Sequence, residues 1–71
     1  MRIKHNFGKN LRALRESQGL TVARLAVKLG WKDYTLSKYE NGIHEPRIQG
    51  ALQVAKYFKV ELGKLIVGKV K

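Results

Sequence analysis

Residues 21–42 read TVARLAVKLGWKDYTLSKYENG, and this stretch decides the fold. Within it, Ala26 is followed by Gly30 after four residues, by Leu36 after six more and by Tyr39 after a further three. Two helices that cross steeply need a small side chain where they approach most closely, and a tight turn between them needs a residue that tolerates a positive φ angle. Leu36 and Tyr39 then anchor the second helix of the pair by its inner face. The stretch therefore predicts two short helices joined by a tight turn, with the outer side of the second helix left in solvent.

Apolar residues recur at intervals of three and four along the rest of the chain, which is typical of helices that pack together. The first helix is predicted over residues 6–18, with Asn6 as its N-cap and Gly19 as its stop. The second is predicted to be capped by Thr21 and ended by Gly30. No stretch alternates with period two for long enough to predict a strand. The predicted fold is all-α, a compact bundle of five short helices.

The three later helices are predicted from their inward-facing residues. The third helix is expected to turn Leu36, Tyr39 and Ile43 inward, and Asn41-Gly42 is a strong turn signal. The fourth is predicted over residues 47–58, after Pro46, because the residue before a proline is biased away from helix. The predicted inward stripes are Ile48, Ala51, Leu52, Ala55 and Phe58 in the fourth helix, and Leu62, Leu65 and Ile66 in the fifth.

The charge balance is strongly basic. Fifteen Lys and Arg residues oppose five Asp and Glu residues, which gives a formal net charge of +10 among 71 residues. Such a chain attracts polyanions, so nucleic acid and anionic membrane are the natural partners, and the plainer alternative is a basic domain without either. The sequence is expected to form one domain over residues 1–71, with a core at about 6–66 and a short basic tail at 67–71.

Several kinds of protein are not expected from this composition. Cysteine is absent, and His5 and His44 lie far apart, so neither a disulfide, nor a metal, nor another cofactor is predicted. The acids and histidines form no recognisable catalytic set, so an enzyme is not expected. The longest apolar runs, among them 65–67, are too short to span a bilayer, and no signal-peptide core follows the N-terminus. The expected location is the cytoplasm, in association with the nucleoid.

Two segments, LTVARLAVKLGW at 20–31 and TLSKYENG at 35–42, resemble the lambda-repressor-like family (the Cro/repressor or XRE helix-turn-helix). The similarity continues through Pro46 and the helix with Leu52 and Ala55 to Leu65, and so covers roughly residues 7–66. The resemblance implies a five-helix fold, binding to double-stranded operator DNA as a symmetric homodimer, and control of transcription as a repressor or autoregulator.

The resemblance also implies which residues read base edges. The start of the third helix and the position one turn later correspond here to Asp33, Tyr34 and Lys38, with Ser37 beside them. A lysine can donate to guanine O6 and N7, an aspartate can accept from cytosine N4, and a tyrosine can bond a base or phosphate or press on a thymine methyl. The alternatives are a favourable interaction of Asp33 with the helix dipole and a solvated Lys38.

Phosphate contacts are implied at the helix starts and at the loop after the third helix. This family usually has glutamine where Val22 stands and Ser or Thr where Lys32 stands. Valine cannot clamp a phosphate, so backbone amides at that helix start are left to hold it. For the Asn41-Gly42 pair a simple turn remains an alternative to a DNA contact. The implied phosphate contacts are Thr21, Val22, Lys32, Asn41, Gly42 and Arg47.

Arg15 and Glu40 match a family ion pair that joins the first and third helices, and for Arg15 this structural role is preferred to a DNA contact. Trp31 occupies the place of a core aliphatic in the family, so packing is preferred to stacking on a base. Neither preference follows from spacing alone.

The dimer surface is predicted at the C-terminal end, because the apolar residues there exceed what the inner face of one short helix buries. The alternative is that they complete the core of the monomer. A second interpretation of the chain is an antitoxin-type protein-interaction module that also binds its own promoter, and a toxin or a polymerase is a possible protein partner. Membrane-surface binding is disfavoured, because the positive charges spread over several helices. The predicted dimer contacts are Leu65, Ile66, Val67 and Val70.

Overall fold

The computed structural model describes residues 6–68, and these form five helices with no strand among them. The prediction of an all-α fold with five helices is thus confirmed for the described residues. The helices are α1 (Phe7–Ser17), α2 (Val22–Leu29), α3 (Asp33–Glu40), α4 (Ile48–Phe58) and α5 (Leu62–Ile66).

One hydrophobic core holds the helices together. Helix α3 packs against α1 and α2, whereas α4 packs against α1, α2 and α5. The core therefore lies between the helices, and α1 and α2 each contact both α3 and α4. Its buried members are Phe7, Leu11, Leu25, Ala26, Leu29, Leu36, Ala51, Val54, Ala55, Phe58 and Leu65.

The start of α1 differs from the prediction. Asn6 occupies the N-cap position, but its side chain makes no capping hydrogen bond. Its backbone N–H instead donates to the carbonyl oxygen of Ile66 at 2.6 Å. A tertiary contact with the end of α5 thus secures this residue in place of a local cap.

The predicted inward position of Ile43 is wrong. Helix α3 ends at Glu40, and Gly42 adopts a φ of 73°, so the helical spacing that would carry residue 43 inward no longer applies. The backbone N–H of Ile43 donates to the carbonyl of Lys38 at 2.9 Å, and its side chain remains 66% exposed.

The predicted stripe of α4 is partly wrong. Ala51, Ala55 and Phe58 are buried as expected, but Ile48 and Leu52 are exposed, and the fully buried member is Val54. At 100° per residue, Leu52 lies more than a quarter of a turn from the centre of the buried stripe. Ile48 and Leu52 therefore form an exposed apolar edge on α4.

Candidate nucleic-acid interface

The turn between α2 and α3 is built by Gly30. This residue has φ 75° and ψ 24°, the left-handed conformation that glycine adopts without a steric penalty. The N–H of Gly30 donates to the carbonyl of Val27 at 3.1 Å, and the N–H of Trp31 donates to that of Ala26 at 2.8 Å. This pattern ends the helix and reverses the chain within a few residues. Because Ala26 is small and buried, α3 can cross close to α2.

The inner side of α3 is anchored by Leu36 and Tyr39. Leu36 is completely buried. The ring of Tyr39 makes edge contacts with Phe7 of α1, at 5.9 Å between centroids, and with Trp31 at 5.5 Å. Aromatic rings in this arrangement attract one another beyond the burial of their area. Trp31 is thus a packing residue, and its ring helps to hold Tyr39.

Arg15 and Glu40 form a buried ion pair between α1 and α3. Nε of Arg15 donates to Oε2 of Glu40 at 2.7 Å, and Nη2 donates to Oε1 at 3.0 Å. The third nitrogen, Nη1, donates to the carbonyl of Leu20 at 2.7 Å, where the chain enters α2. The hydrogen bond to the Glu40 carboxylate raises the pKa of Arg15 above its ordinary value. The guanidinium therefore stays charged and ties the carboxyl end of α3 to the scaffold.

The outer side of α3, which we call the reading face, consists of Asp33, Tyr34, Ser37 and Lys38. Asp33 and Tyr34 are exposed, and Ser37 and Lys38 are half-buried. Nζ of Lys38 lies 5.6 Å from the centroid of the Tyr34 ring, within the range of a cation–π interaction. One helix face thus presents a carboxylate, a phenol, a hydroxyl and an ammonium group together.

Polar groups at the ends of α3 complete the reading face. Nδ2 of Asn41 donates to Oγ of Ser37 at 3.3 Å, which links the residue after the helix to the middle of the face. Lys32 is the N-cap residue of α3, but its side chain makes no capping bond. Lys32, Asn41, Gly42 and Arg47 are all exposed.

The start of α2 combines a capped and an apolar position. Oγ1 of Thr21 accepts a hydrogen bond from the N–H of Arg24 at 3.1 Å, as predicted for an N-cap. Val22 is half-buried against the core. Its side chain therefore packs, and residue 22 can offer a phosphate only its backbone N–H.

A polar cleft of about 260 Å³ beside Tyr39 did not emerge from the sequence. On one wall, Nε1 of Trp31 donates to Oε1 of Gln53 at 3.0 Å, and Nε2 of Gln53 donates to the carbonyl of Leu29. Thr35, Gln49 and Arg47 line the rest of it. The available sequence signal for this cleft was a pair of glutamines four residues apart on α4. The same pattern is equally typical of a solvated helix face.

The predicted dimer surface is corrected by the burial of Leu65. This side chain is completely buried in the monomer core, so it has no area to offer a second copy. Ile66 is half-buried against the same core, and Val67 is 63% exposed. Val70 lies outside the described residues.

Residues 6–68 contain no cluster of three or more His, Asp or Glu side chains that could hold a metal ion. In the same range, no helix has the length and apolar character needed to cross a bilayer.

Two short helices that cross at a glycine turn, with the second exposed along one face, define a helix-turn-helix protein. A family model described as helix-turn-helix matches residues 11–65. The chain therefore belongs to the XRE-type helix-turn-helix family of DNA-binding transcriptional regulators, and the resemblance seen in the sequence is confirmed.

Solved structures support this assignment. A transcriptional regulator from Listeria innocua has a TM-score of 0.82 and 32% identity, over 97% of this chain and 64% of that chain. This chain thus spans less than two thirds of the length of the Listeria regulator. The N-terminal DNA-binding domain of SinR from Bacillus subtilis has a TM-score of 0.76 and 26% identity, over 84% of this chain and 88% of that domain. The DNA-binding domain of BldD from S. venezulae has a TM-score of 0.74 and 28% identity, over 86% and 91%. A search of the curated proteins gave no match.

Proposed function

We propose that the protein binds a palindromic operator in double-stranded DNA as a homodimer and represses transcription there, its own promoter included. The observation that carries the proposal is the reading face, which is solvent-facing while Leu36, Tyr39 and Glu40 fix the opposite side of α3. A helix held in this way fits the major groove of B-DNA. Two similar solved structures are DNA-binding domains, which supports the same function.

Within this proposal Lys38 reads guanine. Its ammonium group can donate to O6 and N7, and the Tyr34 ring 5.6 Å from Nζ restricts where that group lies before DNA arrives. Asp33 accepts from cytosine N4 in the first turn, where a carboxylate also interacts favourably with the helix dipole. Tyr34 contacts a thymine methyl or a phosphate, and Ser37 bonds an adjacent base.

The phosphate contacts set the register of the helix. Lys32 and Arg47 approach the backbone by charge, and they flank α3 on either side in the sequence. Asn41 and Gly42 contact the backbone between them. At the start of α2 the amide N–H groups beside Thr21 and Val22 hold a phosphate, because the Val22 side chain is apolar and half-buried. With a net charge of +10, affinity should fall steeply as salt rises.

Dimerisation follows from the small size of one reading face. A single helix contacts few bases, and two copies related by a two-fold axis double the site when their reading faces lie about 34–36 Å apart. Val67 supports this arrangement, because it is an exposed apolar side chain directly after α5. Occupation of an operator that overlaps a promoter excludes polymerase without any further activity of the protein.

Selection of bound duplexes from a random pool tests the DNA-binding proposal. A palindromic consensus is the expected result. Lys38→Ala should then weaken the selected site roughly tenfold more than a scrambled duplex. Arg47→Ala should weaken both duplexes alike and lower the salt slope by roughly one. Equal losses on both duplexes for both variants would contradict sequence reading.

Sedimentation tests the dimer separately. Val67→Asp should shift the protein toward monomer, because a carboxylate would be desolvated in the interface. Val27→Asp is the matched control, since Val27 is a 79% exposed valine on α2 and lies outside the proposed surface. An unchanged mass for Val67→Asp would remove the C-terminal end from the dimer interface.

A further inference from the structure

Gly8 lies where α1 comes nearest to the end of α3. A Cβ atom at residue 8 would fall inside van der Waals contact with the carbonyl oxygen of Tyr39. It would also lie 3.0 Å from the carbonyl oxygen of Glu40 and 3.3 Å from the carbonyl carbon of that residue. These are backbone atoms of the last turn of α3, so they cannot rotate away as a flexible side chain would. Only glycine permits this approach.

The contact lies between two other links that join the same helices. Phe7, the preceding residue, meets the ring of Tyr39, and Arg15 binds the carboxylate of Glu40. All three links act on the last two residues of α3. A methyl group at residue 8 would push the carboxyl end of α3 outward, while the turn at Gly30 holds the other end of the helix.

We infer that Gly8 is a positioning residue for base reading. It lets the last turn of α3 rest directly on the backbone of α1, and this sets the tilt of the reading face. Ser37 and Lys38 lie within a turn of that contact, and hydrogen bonds to base edges tolerate displacements of only about 0.5 Å. The inference rests on the proposed function, because it assigns Gly8 a part in discriminating one DNA sequence from another.

Gly8→Ala tests the inference, with Gly63→Ala as its matched control. Both exchanges replace a helical glycine by a better helix former, but a Cβ at residue 63 would meet nothing within 4 Å. Each variant would be titrated with a duplex obtained by selection from a random pool and with a scrambled duplex of equal length. The measured quantity is the ratio of the two affinities, corrected for the folded fraction.

Gly8→Ala should lower that ratio roughly tenfold, the equivalent of one lost base contact, whereas Gly63→Ala should leave it unchanged. A purely structural glycine would reduce the folded fraction and leave the ratio intact, which would overturn the inference. Trp31 is the chain's one tryptophan and contacts Tyr39, so its fluorescence gives a second readout without DNA. Its emission should change in Gly8→Ala and not in Gly63→Ala.

If Gly8→Ala does not fold, the exchange is repeated in the Gly63→Ala background with saturating selected duplex. Failure to fold there makes Gly8 a requirement of folding and refutes its positioning role. If the unmodified protein prefers no duplex, the proposed function fails, whereas a normal preference that Gly8→Ala retains refutes only the inference about Gly8.

Discussion

Removal of Glu40 should be among the most destabilising single changes in this protein. Glu40→Ala leaves the guanidinium of Arg15 without the acceptors for Nε and Nη2, which now lie 2.7 and 3.0 Å from the carboxylate oxygens. The two side chains are 11% and 3% exposed, so water cannot readily replace the lost acceptor. The bond from Nη1 to the carbonyl of Leu20 also keeps the guanidinium from swinging outward.

The expected loss follows from this burial. Breaking a buried ion pair by removing one partner costs about 3–5 kcal/mol, against about 0–1 kcal/mol for an exposed pair. At about 0.05–0.15 kcal/mol per residue, 71 residues have a total stability of about 4–11 kcal/mol. Glu40→Ala should therefore remove about a quarter or more of the free energy of unfolding and leave a measurable unfolded population.

Urea unfolding followed by circular dichroism measures this loss. Glu16→Ala is the matched control, because Glu16 lies 4.0 Å from Arg15 and is 63% exposed. It should cost less than about 1 kcal/mol. Replacing both members of the pair, Arg15→Met with Glu40→Leu, should recover much of the stability, since no charge is then left buried without a partner. A loss below about 1 kcal/mol for Glu40→Ala would refute the reasoning.

The raised pKa of Arg15 sets the pH dependence of the stability that the Arg15–Glu40 pair contributes. A group whose pKa is raised by folding stabilises the protein fully below its ordinary value, and this contribution is lost only as the pH rises through the raised value. For arginine that loss lies far above neutral pH. The difference in stability between Glu40→Ala and the unmodified protein should therefore stay constant from pH 7 to about pH 10.

Three further changes test the packing. Lys59 follows the last residue of α4 with a φ of 58°, a left-handed conformation that is strained for any residue with a Cβ atom. Lys59→Gly should therefore relieve about 1 kcal/mol of strain and raise the Tm by about 4–8 °C in calorimetry. A lower Tm would contradict this. Nδ2 of Asn10 donates to the carbonyls of Leu65 at 2.8 Å and Gly68 at 2.9 Å. Asn10→Ala should therefore lower the free energy of unfolding in urea by about 1–3 kcal/mol. Asn10→Asp should lower it further, because the carboxylate would face those carbonyl oxygens. Val54→Ala should cost about 2 kcal/mol and Leu52→Ala clearly less, since only the valine is fully buried; equal losses would mean that the α4 stripe is misplaced.

The helix pair that carries the site could be predicted from the sequence because its determinants are local. Ala26, Gly30, Leu36 and Tyr39 all lie within residues 26–39, so their spacing encodes the crossing. The stripe of α4 could not be predicted in full. Val54 and Leu52 are equally apolar, and which of them is buried depends on where α1, α2 and α5 lie.

Contacts across long stretches of chain were not predictable by spacing. Asn10 bonds to carbonyls more than fifty residues away, and nothing near it in the sequence signals a cap for α5. In the sequence, Gly8 indicates only a weak helix former, because its close approach to the end of α3 is a tertiary contact. The Arg15–Glu40 pair was indicated only by the family resemblance, and its burial is a result of the three-dimensional packing.

The two ends of α3 are secured in different ways, and this bears on how the reading face would work under the proposed function. At the carboxyl end, Tyr39 and Glu40 are held by ring contacts, an ion pair and the close approach of Gly8. At the amino end, Lys32 provides no side-chain cap, and its charge is free to approach a phosphate. Preorganised groups discriminate more sharply than groups that must be ordered on binding, because less freedom is lost. Discrimination between sequences should therefore depend more on Lys38, near the secured carboxyl end and beside the Tyr34 ring, than on Asp33 at the uncapped start of the helix.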